Sequence, residues 1–274
     1  MDALLPNEMA EKAETTGVRK VALPFLSLFA LAILAGAFIG LGCMFATTTA
    51  AATSTLPYGV ARLLIGLVFC LGLILVVVGG AELFTGNNLI VMAWASRKIS
   101  TLALLRNWLI VYVGNFVGSL GTALFVFLGK QYANGGGSVG EAALKIAVGK
   151  VNFGFIQALA LGMMCNALVC LAIWLTYSAR SVSDKILAIL FPISAFVAAG
   201  FEHSIANMYF IPYALLIKAF DPAFAMSKSI DLSSLTWGSF FLKNLLPVTI
   251  GNIIGGSMLV AAMYWVIYLR KKMS

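Results

Sequence analysis

The sequence predicts an all-α integral membrane protein with six transmembrane helices, and three observations support this fold class. Hydrophobic residues make up 61% of the chain and charged residues only 10%, whereas soluble domains carry about 25% charged residues. The mean hydropathy is +1.00, and apolar runs long enough to cross a bilayer recur along the chain. The Lys and Arg residues lie in short clusters between those runs, where orientation signals belong. The net charge of +8 therefore does not indicate a nucleic-acid partner, and we expect none.

A window of about 19 residues finds six apolar runs. They span residues 21–46, 60–81, 101–129, 153–177, 186–201 and 239–269. The fifth run is short, and a semi-polar stretch without a clean span follows it at 202–219. We expect one membrane domain over residues 1–274, with an N-terminal helix at 1–20, a first three-span repeat at 21–129 and a second at 150–270.

The N-terminal segment 1–20 is polar and carries charges of both signs. It predicts a short cytoplasmic helix, one that could gate a pore from the inside, and not a cleaved signal peptide. With six spans, more Lys and Arg residues fall on the side of the N-terminus than on the other side. This bias predicts that both termini are cytoplasmic. The lysines of the outer loops either attract anions or simply solvate the loops.

Two motifs recur in the same order in the two halves of the chain. Residues 106–118, RNWLIVYVGNFVG, align with residues 243–255, KNLLPVTIGNIIG. Upstream, ELFTGN at 82–87 aligns with EHSIAN at 202–207. Because each half holds three spans, the halves must cross the membrane in opposite senses. The sequence therefore predicts an inverted 3+3 repeat, with a substrate site near the midplane at the repeat interface.

Each Glu-containing motif is predicted to break a helix at membrane depth. Glycines and asparagines surround Glu82, and irregular backbone inside a membrane is tolerated only where it lines a cavity or is buried in protein. We expect Glu82 and Glu202 to cap backbone N–H groups at the breaks, with direct substrate contact as the alternative. We expect a scaffold role for four asparagines, whose side chains would hydrogen-bond the backbone groups freed by the breaks: Asn107, Asn115, Asn244 and Asn252.

His203 is the only histidine of the chain, and its repeat partner is Leu83. An ionisable residue inside a membrane is a functional-site hypothesis by default. Imidazole can donate a hydrogen bond to an anion or exchange a proton with a weak acid. Thr85, on the opposite break, is the predicted partner because its hydroxyl donates without a buried charge. The alternative is a buried core histidine with satisfied hydrogen bonds.

Other chemistry finds little support in the sequence. The four cysteines lie in apolar stretches without CxxC spacing, so we expect core residues and no disulfide framework. We expect no metal and no cofactor. An aquaporin-type channel would need paired NPA boxes, and an intramembrane enzyme would need HExxH, GxSxG or paired catalytic aspartates. We expect none of these, and the one histidine has no acid–nucleophile set, so we expect that the protein is not an enzyme.

Three segments resemble the signatures of the formate/nitrite transporter family. They are GGAELFTGNNLIV (79–91), GFEHSIANMYFIP (200–212) and LLPVTIGNIIGGS (245–257). The resemblance covers nearly the whole chain and is greatest to the formate channel branch. It implies an aquaporin-like fold and a homopentamer in the bacterial inner membrane, with one pore in each protomer for formate and related small anions. A nitrite or hydrosulfide channel of the same family is the alternative.

The resemblance also assigns roles to residues. His203 is implied to be the central histidine, opposite Thr85, with Asn207 and Glu202 in the polar shell around it. The implied cytoplasmic-side constriction is formed by Leu73, Leu83, Phe84 and Val169, and the outer one by Phe69, Asn166 and Phe196. Lys20 and Lys150 match the lysines at the two pore mouths. We expect formate to enter as an anion and to exchange a proton near His203 when the medium is acidic.

Overall fold

The computed structural model describes residues 3–53 and 55–270, and the secondary structure within these ranges is entirely helical. The helices are α1 (Pro6–Val21), α2 (Phe25–Ala52), α3 (Tyr58–Gly79), α4 (Val91–Ala95), α5 (Thr101–Leu128), α6 (Ser138–Val151), α7 (Phe155–Ser178), α8 (Val182–Ala198), α9 (Ser204–Phe220) and α10 (Pro222–Ser227). A last continuous helix, Ser239–Tyr268, is called the C-terminal helix here. It contains two π-helical stretches, Ser239–Leu245 and Gly255–Ala262.

Five of the described helices are long and apolar enough to cross a membrane: α2, α3, α5, α7 and the C-terminal helix. The predicted fifth run corresponds to α8, which has 17 residues. The stretch at 202–219, which the sequence leaves without a clean span, instead forms the apolar helix α9. Most residues of α9 are buried, so its polar side chains face protein and not lipid.

At each of the two predicted helix breaks, a glycine marks the point where the chain leaves helical geometry. Gly80 follows α3 with φ +79°, and Gly200 follows α8 with φ +75°. Left-handed backbone at a helix end is available to glycine without a Cβ clash. After Gly80 the chain resumes as a 3₁₀ turn, Gly86–Ile90, and then α4. After Gly200 it resumes directly as α9.

Two helix pairs form the walls of the molecule: α2 packs along α5, and α7 packs along the C-terminal helix. Between them, α3 packs on α8, and α9 packs on α5, α2 and α6. The short helices α1 and α6 precede α2 and α7 in the same way, and each carries, one residue before its end, a lysine that reaches a glutamate at a helix break. The sequence did not predict α6 as the counterpart of α1.

Polar contacts fix α1 to other segments of the same protein. Lys12 Nζ donates to the Tyr177 carbonyl over 2.8 Å, and Ser178 Oγ donates to the Leu4 carbonyl over 2.9 Å. Lys98 forms an ion pair with Glu14. Burial and the nearby Arg180 lower the pKa of Lys12 from its usual value. These contacts hold α1 across the face of the protein that carries Lys20.

The four cysteines, Cys43, Cys70, Cys165 and Cys170, are all buried free thiols. Their predicted role as small core residues is confirmed.

Candidate functional site

The centre of the candidate site is a hydrogen bond between the two helix breaks. Thr85 Oγ1 and His203 Nε2 lie 3.0 Å apart, and both residues are buried. Thr85 comes from the irregular segment after α3, and His203 is the residue that immediately precedes α9. The structure therefore brings together the two residues that the sequence paired.

His203 is held by the start of α9. It is the N-cap residue of that helix, and its Nδ1 accepts a hydrogen bond from the Ala206 N–H over 3.1 Å. Since Nδ1 is an acceptor here, we assign the proton of the neutral ring to Nε2, which then donates to Thr85 Oγ1. The hydroxyl hydrogen of Thr85 is left available for another acceptor, such as an anion.

A cluster of polar side chains lies on one side of this centre. Lys20 Nζ donates to Glu82 Oε1 and to Asn87 Oδ1, each over 2.8 Å. Asn87 Nδ2 in turn donates to Glu82 Oε2 over 2.8 Å and to Asn107 Oδ1 over 2.9 Å. Asn107 closes the circuit by donating to the Lys20 carbonyl over 3.3 Å. We call this the Lys20 cluster.

The same arrangement recurs on the other side as the Lys150 cluster. Lys150 Nζ donates to Glu202 Oε1 over 2.7 Å, and Asn207 Nδ2 donates to Glu202 Oε2 and to Asn244 Oδ1, both over 2.7 Å. Asn244 donates to the Lys150 carbonyl over 2.9 Å. Two contacts differ: Asn244 also donates to Glu202 Oε2 over 3.0 Å, and Asn207 Oδ1 is buried without a hydrogen-bond partner. Lys150 instead lies 5.3 Å from the centre of the Phe210 ring.

The two glutamates do not cap backbone N–H groups in the way the sequence suggested. Their carboxylates accept hydrogen bonds from lysine and asparagine side chains. The backbone at the breaks is held by asparagines instead. Asn115 accepts from the Phe84 N–H and donates to the Glu82 carbonyl, and Asn252 does the same for Ser204 and Glu202. The scaffold role predicted for these two asparagines is confirmed.

Two cavities flank the centre. The Lys150 cavity has a volume of about 240 Å³, and Lys150, Glu202 and His203 line it. The Lys20 cavity has a volume of about 380 Å³, and Lys20, Glu82 and Leu83 are among its lining residues. Both lysines therefore contact a cavity, as expected for pore-mouth residues, and both are already paired with a carboxylate.

Apolar side chains pack around His203, which itself lines the Lys150 cavity. Phe69 and Phe196 meet edge to face with ring centres 5.5 Å apart, and Phe196 lies over the His203 ring at 6.0 Å. Both phenylalanines line the Lys150 cavity. On the other side, Leu73, Leu83 and Val169 belong to one buried apolar cluster with them.

Phe84, which belongs to the same buried apolar cluster, and Asn166 are also expected in the constrictions, and each makes further contacts. The Phe84 ring packs on Trp108 and Tyr112 of α5, with ring centres 6.0 Å and 4.8 Å away. Asn166 is fully buried and donates to Asn88 Oδ1 over 2.8 Å and to the Asn252 carbonyl over 2.7 Å. Their contacts support the walls of the site.

Sequence reasoning missed two features. Arg62 lines the Lys150 cavity, and its basic side chain among apolar neighbours in the second run was the available signal. Residues 136–140, GGSVG, fit the GxSxG pattern of serine hydrolases. In the structure Ser138 begins α6, whereas the hydrolase motif requires a strand before the serine. His203 is hydrogen-bonded to Thr85 and Ala206 instead.

Comparison with known proteins identifies the family. The model of the formate/nitrite transporter family matches residues 7–266. The formate channel FocA of Escherichia coli (strain K12) is 48% identical over 98% of this chain and 96% of its own length. The FocA of Haemophilus influenzae is 41% identical over 94% of this chain and 92% of its own length. A solved structure described as a pentameric formate channel with formate bound superposes with a TM-score of 0.84, at 45% identity, over 90% of this chain and 98% of the other.

Because the family model covers nearly all of the sequence and the relatives match over almost their full length, the chain belongs to the formate/nitrite transporter family.

Proposed function

We propose that this protein is a channel for formate and related small monovalent anions in the bacterial inner membrane. The observation that carries the proposal is the buried Thr85–His203 hydrogen bond between two cavities, each with a lysine–glutamate cluster. The similarity to FocA proteins over nearly their full length supports formate as the substrate.

The two lysines would receive the anion at either end of the path. An ammonium group has three N–H donors. Lys20 uses two of them on Glu82 and Asn87, and Lys150 uses one on Glu202. The remaining donors can bind a carboxylate, while the paired glutamate keeps the cluster close to neutral. An anion would thus be attracted without being trapped.

The centre would stabilise the anion between two apolar constrictions. A bare carboxylate loses several kcal/mol of hydration on entering apolar surroundings such as Phe69 and Phe196. At the centre it would meet the free hydroxyl hydrogen of Thr85, and the start of α9, whose backbone dipole favours negative charge. We include Leu73, Leu83 and Val169 in the opposite constriction, and we assign supporting roles to Phe84 and Asn166.

Proton exchange at His203 would require the imidazolium form. The neutral ring accepts from Ala206 at Nδ1, so a proton added at Nδ1 displaces the Ala206 N–H. Nε2 could then transfer its proton to formate, which would leave as formic acid with a neutral ring behind. The neutral acid crosses an apolar constriction at much lower cost than the anion. We propose this route for acidic media and anion passage for neutral media.

The same proposal includes an arrangement of the helices in the membrane. We infer six crossings: the five long helices, with α3 and α4 as one broken span, and α8 and α9 together as the sixth. The two halves would form an inverted repeat of the aquaporin-like type, with both termini in the cytoplasm. The solved pentameric relative supports a homopentamer with one pore in each protomer.

The test is anion flux through the purified protein in liposomes. Formate, nitrite and hydrosulfide are compared across external pH, with and without an imposed proton gradient. We expect formate flux that carries net charge at neutral pH and becomes proton-coupled in acid. Absence of formate flux above that of protein-free liposomes would overturn the proposed substrate. Equal flux of all three anions would reduce the proposal to a general small-anion pore.

A further inference from the structure

The Lys150 cavity contains a cation that none of the described carboxylates neutralises. Arg62, Lys145 and Lys150 all line this cavity. Lys145 is paired with Glu141 over 2.6 Å, and Lys150 is paired with Glu202 over 2.7 Å. The ion pairs within residues 3–53 and 55–270 do not include Arg62. The positive charge of this cavity is therefore concentrated on Arg62.

Arg62 is held in place by the end of α8. Its Nε donates to the Ala198 carbonyl over 3.0 Å, and its Nη2 donates to the Val197 carbonyl. A Cβ placed on Gly200 would lie 3.5 Å from Nη2, so the guanidinium packs over the backbone at that break. Neutral carbonyls orient the group without cancelling its charge. Of its five N–H donors, three are left for a ligand.

This device belongs to one half of the protein only. The spacing of 120 residues that relates Glu82 to Glu202 aligns Arg62 with Val182, which carries no charge. The Lys20 cavity is lined by Lys12, Arg19 and Lys185 instead, and Arg19 donates to Thr16 of its own helix and not to the carbonyls of a helix break. The planar donors of a guanidinium match the two oxygens of a carboxylate, which a lysine binds only as a point charge.

We propose that Arg62 forms a carboxylate-binding subsite in the Lys150 cavity, where it receives the substrate anion before the anion reaches Phe69 and Phe196. This inference rests on the proposed function and adds a residue that sets affinity on one side of the membrane. Lys150 would bind the anion next, deeper in the cavity, with its spare donors. The two sides of the channel would then differ in their half-saturation concentrations for formate.

The experiment measures formate uptake against concentration in right-side-out and inside-out membrane vesicles that contain the full-length protein. Three variants are compared with the wild type: Arg62→Gln, Arg62→Lys and, as a matched control, Lys130→Gln. Gln keeps neutral donors for the carbonyls of α8, and Lys keeps the charge. Lys130 is exposed on the same side of the protein, outside the cavity.

We expect Arg62→Gln to raise the half-saturation concentration about three- to tenfold in one vesicle orientation only, since charged hydrogen bonds are lost there. Maximal flux should change by less than about twofold, and Arg62→Lys should recover much of the affinity. Lys130→Gln should match the wild type. An unchanged half-saturation concentration in Arg62→Gln would overturn the inference. An equal loss of formate affinity in both vesicle orientations, together with a lower unfolding temperature, would also overturn it, because that result indicates a purely structural role. Absence of flux in the wild type would instead overturn the proposed function itself.

Discussion

At the scale of single residues, His203 combines two tasks that a substitution can separate. Its Nδ1 caps α9 through the Ala206 N–H, and its Nε2 contacts Thr85. In His203→Asn, the amide oxygen can still cap the helix, because Asn is among the preferred N-cap residues, but it cannot titrate. We expect this variant to fold, to carry formate at neutral pH and to lose proton-coupled uptake in acid. The measurement is uptake in liposomes with and without an inward proton gradient.

His203→Phe is the control for that prediction, because it removes both the cap and the titrating group. Loss of the cap should lower the stability of this variant by about 0.5–2 kcal/mol, which a thermal unfolding curve can detect. Acid-driven uptake that survives in either variant would contradict proton transfer by His203. The anion pathway would then depend on the Thr85 hydroxyl and the start of α9.

The residues of the site could be predicted from the sequence better than their contacts could. The repeated motifs and the single histidine located Thr85 and His203, since polar groups in an apolar span need a reason to be there. The partner of each glutamate could not be predicted in the same way. Lys20 lies 62 residues before Glu82, and Lys150 lies 52 residues before Glu202, so only the fold brings each pair together.

At the scale of helices, close packing depends on glycines at matched positions of the two halves. A Cβ on Gly118 would lie 2.0 Å from the Ile33 carbonyl oxygen, and one on Gly255 would lie 2.1 Å from that of Met163. In Gly118→Ala and Gly255→Ala the paired helices must separate. We expect each substitution to cost about 1–3 kcal/mol of stability, the typical cost of overpacking.

The measurement for the glycine variants is thermal unfolding of the purified protein in detergent, with Gly121→Ala as the matched control. Gly121 lies on α5, like Gly118, but a Cβ there meets no atom within 4 Å. In a helix interior, Ala is favoured over Gly by about 0.5–1 kcal/mol, so the control should be as stable as the wild type or more so. Equal unfolding temperatures for Gly118→Ala and Gly121→Ala would contradict the packing argument.

Helix α9 shows why element prediction from hydropathy was incomplete. A transmembrane window searches for continuous apolar residues, and α9 contains Asn207, Pro212 and Lys218. These residues are tolerated because protein surrounds the helix: Asn207 bonds Glu202 and Asn244, and Lys218 Nζ donates to the carbonyls of Leu232 and Leu235. Hydropathy describes contact with lipid, and α9 has little of it.

At the scale of the whole molecule, the two halves repeat each other down to individual hydrogen bonds. The lysine, the glutamate and the paired asparagines recur with the same donors and acceptors on both sides of the centre. The recurrence of two motifs in the same order predicted the repeat, but the matching of α1 with α6 emerged only in three dimensions. The symmetry ends at the centre, where Thr85 faces His203, at Asn207, whose Oδ1 lacks the lysine contact that Asn87 has, and at Arg62.

Because the two clusters are built alike, we expect the Lys20 and Lys150 ion pairs to contribute similarly to stability. The Glu202 side chain is 2% exposed and that of Glu82 is 7% exposed, so each carboxylate depends on its lysine for charge compensation. Lys150→Met or Lys20→Met should each cost about 3–5 kcal/mol, as when one partner of a buried ion pair is removed. In Lys150→Met/Glu202→Gln and Lys20→Met/Glu82→Gln, most of that loss should be recovered, because no buried charge is left uncompensated. Unfolding temperatures of the four variants in detergent provide the measurement. A double variant that is as unstable as its single variant would contradict this prediction for its cluster. The ion pair of that cluster would then be retained for substrate passage and not for charge compensation within the fold.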